Sequence, residues 1–286
     1  MEARETLRGT RRSLRLLFRR KPGGAVGLCA VLLIVVVAII SPWIVPYPPT
    51  DANPAAQLLP PSRAHWFGTD TSGMDVFSRV LAASRTDLTI GVAATLLALA
   101  IGTPLGIVSG YYRGWWTELI SRGADILQAF PIFILAMALV ALAGQAVTNV
   151  ILVIAFLTSP IYLRLMRSQT YVLREMPFVE AGIIVGNPAR RIIRRYIFPL
   201  AIPPALTQVS VNVGIAILLT AGLSFIGAGV RVPTPEWGSM ISIGASQIIT
   251  GQWWVAAFPG FAIVFTVLSF SLLGRAIEFL TNPHQR

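Results

Sequence analysis

Lysine is almost missing from this chain of 286 residues, which has only Lys21. A phosphate-binding loop needs its lysine after glycine and before serine or threonine, whereas Lys21 follows Phe18-Arg19-Arg20, so nucleotide hydrolysis by that device is excluded. Cysteine is as scarce: Cys29 stands alone, so no intrachain disulfide forms and cysteine usage does not indicate a compartment. The two histidines, His65 and His284, fall in different predicted compartments, and a zinc or haem centre built from this chain alone is not expected. No catalytic, cofactor-binding or metal-ligating set is identified. Charge is thin as well, 12% of residues against 55% hydrophobic, a balance too apolar for an ordinary soluble domain.

Long apolar runs take the place of these groups. A hydrocarbon core about 30 Å thick is crossed by roughly 20 apolar residues in a helix, because every backbone polar group must be satisfied without water. Six segments qualify: 25–45, 88–111, 123–142, 147–163, 204–225 and 255–273. The predicted class is an all-α polytopic membrane protein with one membrane domain. The formal charge of +11 is placed by sidedness rather than for nucleic acid. With the N-terminus inside, 19 of the 23 basic residues are cytoplasmic, and only Arg63, Arg79, Arg85 and Arg231 lie outside. Both termini are therefore expected in the cytoplasm. The division that follows is a basic segment 1–24, a first span 25–45 read as an uncleaved signal anchor, an outer segment 46–87, a core 88–275 containing an inner loop 164–203, and a tail 276–286. All seven tryptophans, Trp43, Trp66, Trp115, Trp116, Trp237, Trp253 and Trp254, fall near predicted span ends and read as interfacial anchors.

The outer segment opens with Pro46, Pro48, Pro49, Pro54, Pro60 and Pro61, which forbid a helix. From Val76 the pattern suits a short amphipathic helix on the outer surface, while Asp70 and Asp75 around Gly73 suit turn formation and capping. Gly102, Gly106 and Gly110 clear one helix face for a close neighbour. Pro104, Pro131, Pro160 and Pro259 are placed to kink spans. Among ionisable residues only Asp125 is a candidate for mid-membrane chemistry, and with Glu118 and Arg122 at helical spacing it reads first as an interfacial charge cluster. Gln128, Gln208 and Asn212 are deeper polar residues that either touch a transported solute or bond between helices.

The longest polar stretch lies between the fourth and fifth spans. Glu180 to Val185 predicts a short helix ended by Gly186, and Asn187-Pro188 predicts the start of another, with asparagine as cap and proline in the first turn. On that second helix Arg190, Arg191, Arg194 and Arg195 share one side, and Ile192, Ile193, Tyr196 and Ile197 the other, a split suited to a membrane surface with anionic lipid. From these residues alone, a transporter subunit, an ion-coupled secondary carrier using Asp125 and a non-transporting scaffold all stay open.

The run Glu180-Ala181-Gly182, Gly186 and Ile197-Phe198-Pro199 resembles the EAA motif of bacterial ATP-binding-cassette importer permeases. Other pieces are similar to the second permease subunit of dipeptide, oligopeptide and nickel importers: Phe67-Gly68-Thr69-Asp70 with Gly73 and Asp75, Ala129-Phe130-Pro131, Leu223-Ser224-Phe225-Ile226-Gly227, Pro233-Thr234-Pro235-Glu236-Trp237-Gly238, and Trp253-Trp254 with Phe258-Pro259-Gly260. Gly182 stands where the motif has its second alanine, and Met74 where an arginine is usual. The resemblance implies a type I importer permease in the bacterial inner membrane, non-catalytic itself, forming half of an uptake path for peptides or a related small solute. It implies a homologous second permease, two ATPase subunits carrying ATP and magnesium, and a periplasmic or lipid-anchored solute-binding protein. Glu180, Ala181, Gly182, Ile183, Ile184, Gly186, Asn187, Pro188 and Arg190 are then the expected ATPase-coupling residues.

Overall fold

The computed structural model describes residues 21–281, and the basic segment 1–20 and residues 282–286 lie outside the described residues. Helix α1, Pro22–Ile44, begins with proline in its first turn, where the missing N–H costs nothing. Its small residues Gly24, Ala25 and Gly27 turn toward the last helix, while Leu32, Leu33, Val36 and Ile39 face outward. A Cβ on Gly27 would come within 2.6 Å of the backbone at Leu272 and Leu273, so this crossing requires glycine.

After a mostly irregular outer segment with a short turn of 3-10 helix at Pro54–Ala56, helix α2 spans Val76–Tyr111 without a break. The expected surface helix and second span are thus one rod, about 54 Å long at 1.5 Å per residue. Asp75 caps it, accepting from the Ser78 amide at 2.7 Å, as its turn-and-cap reading anticipates. Beyond it come α3, Trp115–Ala129, and α4, Ile132–Ala143, then α5, Val147–Arg174. The predicted single span 123–142 is corrected here, because α3 and α4 meet at a bend of 94°. Pro131 supplies no N–H and drives Phe130 to an extended backbone with φ −84° and ψ 144°, which no helix accommodates.

Helices α6, Pro177–Ile184, and α7, Ala189–Ile192, are short. A π-helical turn at Ile193–Ile197 then leads into α8, Phe198–Phe225. Helix α9, Trp237–Ala245, and α10, Trp254–Thr281, complete the described chain. Among the described residues, five helical stretches, α1, α2, α5, α7 through α8, and α10, are long and apolar enough to cross a membrane, and the count rises to six when the bent pair α3 and α4 is taken as one span.

Helices α2 and α5 form the most extensive pair. A Cβ on Gly106 would lie 2.5 Å from the Leu163 carbonyl oxygen, and one on Gly110 2.6 Å from that of Arg167, so the expected small-residue face lies directly against α5. Among the described residues, three large apolar clusters line the bundle beside a small one of Ala25, Ala276 and Phe279. One joins α1, α2, α8, α9 and α10 through Val76, Leu88, Val213, Trp237 and Trp254. A second joins α2, α4, α5 and α8 through Ile90, Ala136, Ile154 and Ala216. The third lies toward the arginine-rich end and includes Tyr111, Met166, Val179, Ile192 and Ile197. Two of the seven tryptophans are turned into the protein. Trp237 and Trp254 are buried, because their indole N–H groups find backbone carbonyls at Val80, 3.0 Å, and Thr69, 3.2 Å. Trp43, Trp66, Trp115, Trp116 and Trp253 are exposed, in keeping with the anchor reading.

Candidate functional site

At the arginine-rich end, α6 projects its apolar side chains away from the bundle. Val179 and Gly182 face inward, and a Cβ on Gly182 would meet the Ile192 side chain at 2.9 Å. Glycine at this position lets α6 lie close over α7. Glu180, Ala181, Ile183, Ile184 and Val185 are exposed, Ile184 by 78% and Val185 by 81%. Among the described residues Glu180 makes no ion pair. Gly186 ends the helix with φ +84°, a left-handed backbone that a side chain resists, and its N–H donates to the Ile183 carbonyl at 2.9 Å.

Asn187 departs from its expected role. Its side-chain amide donates to the Gly182 carbonyl at 2.9 Å and accepts from Arg191 at 3.2 Å, so it ties α7 back to α6 rather than capping α7. Pro188 and Arg190 are exposed beside it. The amphipathic split of the following stretch is observed. Ile192 and Ile197 are fully buried, and Arg190, Arg191, Arg194 and Arg195 are exposed. The structure therefore gathers the nine expected coupling residues into one hairpin. Gly182 is its inward face and takes no place on the exposed ridge.

The interfacial charge cluster is present, with the expected Glu118–Arg122 pair and with arginines of α5 that the sequence alone did not assign. Asp125 pairs with Arg164 at 2.6 Å, and Glu118 with Arg122 and with Arg167, each at 3.3 Å. Arg113 pairs with Glu175 at 2.9 Å, and Arg167 also reaches Ser121. The links of Arg164 and Arg167 fasten α3 to α5. Their side chains are well exposed, so each contributes up to about 1 kcal/mol. An Asp125 already held by arginine gives no support to its use as the site of an ion-coupled carrier.

The three polar pathway candidates are dispersed. Gln128 is exposed near the end of α3. Gln208 lines an open cavity of about 770 Å³ with Pro199, Pro203, Thr207 and Glu278. Asn212, one turn further along α8, is fully buried and lines no part of that cavity.

Asp125 is exposed, and the buried carboxylates lie elsewhere, which corrects the sequence reading. Asp87, assigned to the outer segment, is fully buried in α2 and accepts from the Trp237 backbone N–H at 3.1 Å. Glu236 beside it is also fully buried and caps α9, accepting from the amides of Gly238 at 2.8 Å and Ser239 at 2.7 Å. Burial pushes the Glu236 carboxyl above its ordinary range, against the pull of those two amides. Glutamate directly before Trp237-Gly238 and a helix was the available signal for the cap. Nothing local marks Asp87 as its neighbour.

On the same side of the molecule the outer segment is strapped down. The Asp70 carboxylate accepts from the Ser72 and Met74 amides at 2.8 and 3.0 Å, and buried Arg79 lies 3.6 Å from it. Arg79 also donates to the Pro49 carbonyl at 2.8 Å and contacts the Met74 sulfur, so the residue that replaces the usual arginine packs against a guanidinium. Phe67 stacks on Phe258 with centroids 3.9 Å apart.

Comparison with known proteins places this architecture. Residues 102–286 match the family model described as binding-protein-dependent transport system inner membrane component, and residues 11–61 match the N-terminal transmembrane domain of oligopeptide transport permease C. The probable D,D-dipeptide transport system permease protein of Escherichia coli is 40% identical over 253 residues, covering 88% of this chain and 85% of the relative. The dipeptide transport system permease protein of Alkalihalophilus pseudofirmus is 39% identical over 261 residues, 91% and 86% of the two chains. The glutathione transport system permease protein of Escherichia coli O157:H7 is 39% identical over 267 residues, 93% and 88%. Among solved structures, the inward-facing MetNI methionine ABC transporter aligns with a TM-score of 0.60 and 16% identity, over 71% of this chain and 96% of that one, a likeness of fold alone. The helical membrane bundle, its EAA-like hairpin and these relatives lead to one assignment: the chain belongs to the binding-protein-dependent transport system inner membrane components, as a non-catalytic permease subunit of an ATP-binding-cassette importer.

Proposed function

We propose that this permease serves the uptake of a short peptide or peptide-like solute, and that α6 is where separate ATPase subunits deliver the work. The relatives' substrates, dipeptides and glutathione, support the solute class. The exposed ridge Ile183-Ile184-Val185, with Glu180 on the same short helix, carries the coupling assignment. Such apolar surface at the end of a bundle calls for a protein groove, since burying side chains of this size gains about 1.5 to 3 kcal/mol each. The hairpin is built to transmit motion as one body. Gly186 and Asn187 close the turn, and Val179 and Ile192 set its inner face in the apolar cluster shared with α2, α5 and α8.

In this reading ATP and magnesium bind the ATPases, the N-terminus and the α6 hairpin are cytoplasmic, and a homologous second permease supplies the other half of the path. A solute-binding protein delivers substrate at the opposite face. ATP-driven closure of the ATPases moves α6 rigidly and shifts the bundle between inward- and outward-facing states. Ile184→Asp is expected to cut ATP-dependent uptake at least about tenfold by removing one buried anchor, with the protein still in the membrane. Uptake at the wild-type rate would overturn the assignment.

A further inference from the structure

At the end opposite the arginine hairpin, an open cleft of about 790 Å³ lies between the α4–α5 turn and the segment preceding α9. Its size is that of a small-molecule site. Gln145, Asn149, Arg231 and Thr234 line it, with Val230 as part of its apolar wall. The hydrogen bonds fix how both amides present themselves. The Gln145 nitrogen donates to the Gly227 carbonyl at 2.6 Å. The Asn149 nitrogen donates to the carbonyls of Ala143 at 2.5 Å and Gly144 at 3.2 Å. Both Asn149 N–H groups are engaged, so its carbonyl oxygen is left to a ligand, while Gln145 keeps its carbonyl oxygen and one further N–H. Arg231 is exposed and makes no ion pair among the described residues. The cleft thus combines two acceptors with one guanidinium.

We propose that this cleft is a receiving site for a zwitterionic solute. The ligand carboxylate pairs with Arg231, whose planar fork suits it, and the ligand ammonium donates to the oxygens of Gln145 and Asn149. A short peptide carries both groups. The proposal rests on the reading of the chain as an importer permease for peptide-like solutes, and it adds a station on this chain itself for the solute on its way into the path.

The test uses the full chain in phosphatidylcholine nanodiscs without binding protein or ATPases. Binding of dialanine, dialanine amide and N-acetyl-dialanine is measured by saturation-transfer NMR and titration. Arg231→Gln is expected to weaken dialanine about tenfold, the worth of one charge-assisted pair, and to leave dialanine amide unchanged. Gln145→Met is expected to weaken dialanine and spare N-acetyl-dialanine. Absence of dialanine binding to the wild type, or an equal loss for the amide in Arg231→Gln, overturns the proposal. It is also overturned if Arg231→Gln leaves dialanine binding intact but abolishes capture of the cognate binding protein, which would make the cleft a protein-docking surface. Uptake by the assembled importer is followed in parallel. ATP-dependent uptake without dialanine binding refutes the cleft alone, whereas binding without any ATP-dependent uptake refutes the importer reading and keeps the cleft.

Discussion

Glu236 is buried to the last atom, and two amide N–H groups at the start of α9 only partly offset the loss of water around its carboxyl. Its pKa stands above the ordinary 4.5, so the folded protein keeps a proton that the unfolded chain has released. The stabilising contribution is therefore complete below that ordinary value and is lost as pH rises through the folded one. Glu236→Gln, neutral at every pH, is expected to flatten this slope. The difference in thermal midpoint between about pH 5 and about pH 8 should shrink relative to the wild type. An unchanged slope would show that other groups set it. The residue scale is also where the sequence was least legible. Asp87 and Trp237 are 150 positions apart, and only the fold puts the aspartate against the tryptophan's backbone N–H. The apolar run beginning at Leu88 drew the boundary one residue too late to reveal a buried carboxylate. Gly182, by contrast, is a departure from the family motif that the structure explains by the nearness of Ile192.

Elements were legible where a local pattern decides them. The spacing of Gly102, Gly106 and Gly110 announced a helix crossing, and the arginine and isoleucine faces of residues 190–197 announced an amphipathic helix, whose apolar face, expected at a lipid surface, has Ile192 and Ile197 packed in the protein. They were less so where neighbours decide. Pro131 promised a kink, yet a bend of 94° also requires a surface for α3 to lie on, which Arg164 and Arg167 of α5 provide. The junction of the outer helix with the second span was hidden because Ser78, Arg79, Ser84 and Asp87 look solvated in sequence but are covered by the folded outer segment and α9. Two glycines separate close packing from simple propensity. Gly106→Ala sets a methyl against the Leu163 backbone and is expected to destabilise by about 2 kcal/mol or more, because neither helix can yield locally. Gly123→Ala in α3 meets nothing within 4 Å and is expected to be neutral or to stabilise by up to about 1 kcal/mol. Thermal unfolding of the two variants in one detergent compares them. Equal midpoints would refute the close α2 and α5 crossing.

As a whole molecule the permease has two unlike ends joined by a tightly packed bundle. The hairpin end offers apolar side chains to a protein, and the opposite end offers polar groups around an open cleft. The membrane class and the glycine-closed hairpin could be read from sequence because hydropathy and the glycine turn are local signals. The solute could not, since the groups lining the proposed cleft, such as Gln145 and Arg231, come from separate segments of the chain. The account stands or falls with α6 as the seat of the ATPases, and the single native cysteine makes a direct test simple. In a Cys29→Ser background, Ile184→Cys is labelled with a membrane-impermeant maleimide applied from the cytoplasmic side, once with the ATPase subunits bound and once after their removal. Strong labelling of the stripped permease and protection in the assembled importer is the predicted result. Equal labelling in both states would contradict it.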